Sequence, residues 1–205
     1  MRSKNGAGGR MSFIQTARRA QIIEAAIATV TAVGYGQASL ARIAAEAGIS
    51  KSVISYHFVN KEDLLEKVVE QVLADWDASM RPIVDAEPTA TGQLAAYVRS
   101  RLAYLRENRT RLIALAEIIV NHRDTDGRPV FAERDTEPVG ELLTILHAGQ
   151  TSGEFRAFDP VVIAMTVTQA IDGAVTRWAE HPETDLTSYA EELVTLFRLA
   201  TQEHR

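Results

Sequence analysis

The apolar positions of this chain recur every three or four residues along most of its length, a spacing that predicts an all-α protein of about nine helices. A first helix is expected from Ser12 to Val33, with Ile23, Ala26, Ile27, Val30 and Val33 on one face, broken by Gly34-Tyr35-Gly36. Leu40, Ile43, Ala44 and Ala47 then mark a short second helix, with Ser39 placed as its N-cap and Gly48 as the left-handed residue that ends it. Ser50 is expected to cap a third helix whose inward residues are Ile54 and Phe58. Its opposite face carries Ser52 and Tyr56, flanked by Val53 and Ser55, and is small and polar with one aromatic ring. Such a face suits insertion into a groove better than packing in a core. A helix, a tight glycine turn and a second helix of this kind form a helix-turn-helix, whose second helix lies in the DNA major groove.

Asn60 is placed to cap a fourth helix, with Glu62 and Asp63 in its acid-favouring first turn. Lys61 opposes that preference and calls for an anion; a DNA phosphate would serve, as would Glu62 or Asp63. The pattern Leu65, Val68, Val72 and Trp76 carries this helix towards Pro82, where a turn reaching Gly92 is expected. Leu94, Val98, Leu102 and Leu105 predict the next helix, ended near Asn108, and Leu112, Leu115, Ala116 and Ile119 one more. His122 to Pro129 reads as a flexible polar loop, and a helix follows from about Pro138 to Thr151. Asp159-Pro160 opens a helix to about Glu180 that is apolar over much of its circumference, and a last helix runs from Leu186 to Ala200. Two adjacent helices with more apolar surface than one neighbour covers predict a homodimer built as a four-helix bundle.

Charge sharpens this division. The net charge of −5 would argue against a nucleic-acid partner, yet residues 1–61 hold eight basic side chains against Glu24 and Glu46, a net +6, leaving −11 for residues 62–205. The basic segment coincides with the helix-turn-helix. Arg18 and Arg19, near the start of the first helix, are placed to touch phosphates or to remain exposed surface charges. With no cysteine the chain has neither disulfide nor thiolate site, and no apolar run approaches the roughly 18 residues of a membrane span. The expected location is the cytoplasm. Residues 1–11 read as a disordered tail, with Met11 an alternative start. His122, Asp124, Asp126 and Gly127 do not complete a calcium loop, and nothing resembles a phosphate loop, a nucleophile elbow or a zinc helix. Neither a metal, a cofactor nor an enzymatic activity is therefore expected.

The run Ser39 through Ala44, then Ala47-Gly48-Ile49-Ser50-Lys51, Tyr56-His57-Phe58 and Asn60-Lys61-Glu62-Asp63-Leu64-Leu65, closely resembles the N-terminal DNA-binding region of the TetR family of bacterial transcriptional regulators. The resemblance covers about the first third of the chain and is much weaker beyond it. It implies a three-helix DNA-binding domain over residues 12–60 and a helical regulatory and dimerisation domain over 61–205, with the last two helices as the dimer interface. It further implies a repressor released from a palindromic operator in double-stranded DNA by a small molecule held in the C-terminal domain. Carried over residue by residue, it implies phosphate-side contacts from Ser39, Tyr56, His57 and Lys61 and base-side contacts from Lys51, Ser52 and Val53. Ala41 and Ser55 depart from the family by replacing longer side chains on the reading face, so the operator sequence does not follow by analogy.

The effector is not named by the sequence. Residues that place an aromatic or polar group on otherwise apolar helices are Trp76, Tyr97, Tyr104, Glu117, His147, Met165, Gln169, Asp172 and Trp178. As a set they fit a largely apolar ligand with a hydrogen-bonding or cationic group. The alternative to a regulator is a helical interaction protein that keeps the fold without specific DNA binding.

Overall fold

A computed structural model of the chain describes residues 13–124, 126–131 and 137–203. The expected tail over residues 1–11, and Ser12, lie outside the described residues. Among those described are nine helices: α1 (Phe13–Gln37), α2 (Leu40–Glu46), α3 (Lys51–His57), α4 (Lys61–Asp85), α5 (Ala90–Glu107), α6 (Arg109–Asn121), α7 (Glu137–Ser152), α8 (Pro160–Glu180) and α9 (Leu186–Thr201). The chain is all-α and divides into two compact units. Unit 1 runs to Glu70 and takes in Ile113–Asn121; unit 2 comprises Gln71–Leu112 and His122–Arg205.

In unit 1, α1 packs on α2 and α2 on α3. Ile22, Ala26, Ile27 and Val30 of α1, Ile43 and Ala44 of α2, and Ile54 with Phe58 at the end of α3 are all buried. Burying side chains of this size contributes about 1.5–3 kcal/mol each, which fixes a helix as short as α3 where propensity alone would not. Gly34 breaks the helical geometry inside α1 with φ 75° and ψ 164°. Gly48, at φ 65°, follows the C-cap Ala47. Its N–H donates to the Ala45 carbonyl (3.1 Å) and that of Ile49 to the Ala44 carbonyl (2.9 Å). These two bonds close a Schellman motif and set the turn between α2 and α3.

The Ser39 hydroxyl caps α2 by accepting the Arg42 N–H at 3.3 Å. Ser50 differs from expectation: its hydroxyl makes no cap bond and pairs with the Ser52 hydroxyl at 2.8 Å. A second hydroxyl within reach has taken the place of the orphan N–H. Pro82 also departs from its reading as a stop, because α4 continues through it to Asp85. Proline removes one donor, and so near a helix end few further bonds depend on it.

In unit 2, α5 is central, packed against α7, α8 and α9. It is consequently buried on most sides, including Leu94, Tyr97, Val98, Arg101, Leu102, Tyr104 and Leu105, where periodicity predicted one apolar face. Two carboxylates cap helices from afar or nearby. Glu154 accepts the Ala90 and Thr91 N–H groups at 3.2 and 3.1 Å, and Asp159 accepts the Val161 N–H at 2.9 Å. In the loop expected after His122, the described residues include a turn held by Asp124. Asp124 accepts the N–H groups of Asp126 and Arg128, and His122 is buried with its ring 5.6 Å from that of Phe131.

Candidate nucleic-acid interface and regulatory cluster

The outward face of α3 presents Lys51, Ser52, Ser55 and Tyr56 to solvent, with Val53 and His57 half-buried. Tyr56 is 73% exposed, an unusual state for an aromatic ring in a packed domain. The Gln15 side chain donates to its hydroxyl at 3.3 Å, and its ring meets His57 edge-on at 5.0 Å. An open cleft along this face is lined by Ile14, Gln15, Arg18, Ile49, Ser50, Val53, Tyr56 and His57. Ser39 is exposed at the start of α2, where its hydroxyl is already engaged as a cap.

Arg19 fixes the far end of α3. Its guanidinium donates to the His57 carbonyl at 2.6 Å and stands 4.4 Å over the Phe58 ring. Gln21 does the same for α2, donating to the Ala47 carbonyl at 2.8 Å. Neither anchoring role was read from the sequence, because each joins residues far apart in the chain. Burial, with the Arg19 and Arg18 charges nearby, holds the His57 imidazole below its ordinary pKa of 6.5. The neutral ring offers a hydrogen bond rather than a charge.

At the start of α4 the Asn60 side chain accepts the Asp63 N–H at 2.7 Å, and the Asp63 carboxylate accepts the Val59 N–H at 2.8 Å. Among the described residues Lys61 makes a hydrogen bond to neither Glu62 nor Asp63, although the Glu62 charge favours its ammonium form. Its ammonium donates to the Tyr35 carbonyl at 2.6 Å and lies 4.4 Å over the Tyr35 ring, and burial lowers its pKa from 10.5. Glu117, proposed from the sequence as a ligand residue, belongs to unit 1, where its carboxylate accepts the Tyr35 N–H at 3.2 Å.

The remaining sequence-selected ligand residues fall into two groups. Trp76, Tyr97 and Tyr104 come together in unit 2: the Trp76 indole stacks on Tyr104 at 5.3 Å with 20° between planes and donates its N–H to the Met80 sulfur. Arg101, which the sequence reading passed over, joins them. His147, Met165, Gln169 and Asp172 are exposed, and Trp178 is half-buried with the Arg109 guanidinium 5.2 Å from its ring. Two clefts of unit 2 lie between α5 and α9.

A three-helix core that displays a short polar helix beside a glycine turn is a helix-turn-helix, the arrangement that lays its second helix in the DNA major groove. Residues 22–68 match the model of the bacterial regulatory proteins, tetR family. Over that segment the chain is similar to this family. It is 44% identical over 64 residues to the HTH-type transcriptional regulator BetI 1 of Chromohalobacter salexigens, a match spanning 31% of each protein. A match to the BetI of Yersinia pestis, 39% identical over 106 residues, spans 51% of this chain and 44% of the relative. The chain thus spans less than half the length of these two relatives. It is 25% identical over 178 residues to the fatty acid metabolism regulator protein of Bacillus subtilis, covering 86% of this chain and 91% of the relative. The structure of FadR from Bacillus subtilis in complex with stearoyl-CoA superimposes with a TM-score of 0.74 at 25% identity, over 86% of this chain and 96% of that one.

Proposed function

We propose that the chain is a transcriptional repressor that binds a palindromic operator as a homodimer and leaves it when a small, mainly apolar molecule occupies unit 2. The observation that carries the DNA half of this reading is the exposed face of α3, held on a packed core and flanked by Lys51 and Arg18. Ser52, Val53 and Lys51 are assigned to base edges, and Ser39, Tyr56, His57 and Lys61 to phosphates. Dimerisation through α8 and α9 is supported by the solvent-facing Val161, Val162, Met165, Leu196 and Leu199. Met165 accordingly suits an interface better than a pocket. Similarity over most of the chain to a regulator solved with stearoyl-CoA supports an effector with a long apolar part. Among the described residues no helix is long and apolar enough to cross a membrane.

An effector acts only through its different affinity for the DNA-competent and DNA-incompetent forms. Helix α4 is the proposed lever, since Lys61 stands at its first residue and Trp76 fifteen residues on. Selection of bound duplexes from a random or genomic pool tests the reading. A two-fold-related sequence is expected to be enriched; failure to enrich any sequence at low salt would overturn it.

A further inference from the structure

We propose that Arg101 is the polar anchor of the effector site and takes an oxyanion head carried on an otherwise apolar ligand. This rests on the reading of the chain as a ligand-released regulator and narrows its effector to one charge class, where the residue set chosen from the sequence fitted a hydrogen-bonding or cationic group.

Arg101 lies in the middle of α5 and is only 8% exposed. Among the described residues its guanidinium forms no ion pair. One amino group, Nη1, donates to the Tyr97 hydroxyl at 3.1 Å, while the plane lies 4.2 Å from the Trp76 ring centre and 5.5 Å from that of Tyr97. The buried Nε–H has no hydrogen-bond partner among the described residues. Arginine does not shed its proton inside proteins, and a buried charge without an anion is among the costliest features a core can hold. Stacking on two aromatic faces offsets part of that cost without neutralising the charge.

Among the described residues Glu141 on α7, half-buried and without an ion pair, is the acid on which the Arg101 charge acts; burial raises its pKa while Arg81 and Arg101 lower it. With Nη1 engaged, the edge formed by Nε and Nη2 remains, and two parallel N–H groups on that edge match the two oxygens of a carboxylate or phosphate. The continuous apolar cluster of unit 2, which includes Tyr97 and Leu102 on α5 and has Trp76 packed against it, suits the rest of the ligand. Beside Arg101 such a head meets the half-buried Trp76, which stacks on Tyr104 and belongs to α4, the helix that begins at Lys61.

The test is calorimetric titration of the full chain, and of Arg101→Met and Arg101→Lys, with dodecanoate, dodecyl phosphate, methyl dodecanoate and dodecyltrimethylammonium below their micellar concentrations. The unsubstituted chain is expected to prefer the better anion over the ester and the cation by about ten- to a hundred-fold, the worth of a charged hydrogen bond. The stronger of the two anions identifies the head. Arg101→Met should bind anion and ester alike, and Arg101→Lys should keep the preference for anions. Without ligand, Arg101→Met should melt no lower than the unsubstituted chain, because the group removed is an uncompensated charge. A lower melting temperature would mark Arg101 as structural support and overturn the proposal, as would equal binding of ester and anion, a preference that survives in Arg101→Met, or no binding of any probe. In each of those cases an enriched operator that is still bound leaves the regulator itself standing; loss of operator binding in the unsubstituted chain would instead remove the reading beneath it.

Discussion

At the first turn of α4 an ammonium group meets the positive end of a helix, and the structure answers the conflict with one of the last carbonyls of α1, that of Tyr35. The awkward placement of Lys61 was legible from its neighbours, whereas its acceptor was not, since Tyr35 is 26 residues distant and sits beside the left-handed Gly34. Lys61→Ala should weaken binding to any duplex and lower the slope of log K against log salt by about one, measured by fluorescence anisotropy. An unchanged slope with a lower melting temperature would leave Lys61 as a cap alone. His57 makes a separate prediction. Its folded pKa lies below 6.5, so the unfolded chain binds the proton more readily; stability should rise with pH between the two values and level off above 6.5. Thermal melts of His57→Gln across that window should lose the rise.

The two glycines that shape helices differ in how visible they were. Gly48 stands between two helical patterns, and its φ of 65° agrees with the turn it was read to make. A Cβ there meets nothing within 4 Å, so Gly48→Ala should cost only the left-handed penalty, about 1–2 kcal/mol by urea unfolding. Gly149 lies inside α7, and nothing local in the sequence distinguishes it. A Cβ at that position would come within 2.1 Å of the Phe155 ring, so Gly149→Ala must displace a buried aromatic side chain and should cost about 1–3 kcal/mol. A neutral result at Gly149 would mean that Phe155 relocates freely. Helix limits followed the caps at Ser39, Asn60 and Asp159, where side chain and orphan N–H are close in sequence. The limit failed at Pro82, where the outcome depends on how many bonds remain downstream; at Ser50 the limit held, although a competing hydroxyl took the place of the cap bond.

At the scale of the molecule, charge and periodicity revealed a basic helix-turn-helix part and an acidic helical part. They did not reveal that residues of α6 are shared between the two units, or that α5 is enclosed, because neither leaves a local pattern. Enclosure is also what makes Arg101 conspicuous in space and ordinary in the chain. The apolar side chains left on α8 and α9 predict that Val162→Glu combined with Leu196→Glu gives a monomer by sedimentation velocity and loses operator affinity together with the dimer. Persistence of the dimer would place its interface elsewhere. The central claim, that α3 of two subunits reads one duplex, is tested most directly by a hydroxyl-radical footprint on the enriched operator. Two protected patches on one face of the duplex, centred about one helical turn or a multiple of it apart and both lost on substitution of Ser52 and Tyr56, are the predicted result. Protection that is continuous, single or indifferent to those substitutions would contradict it.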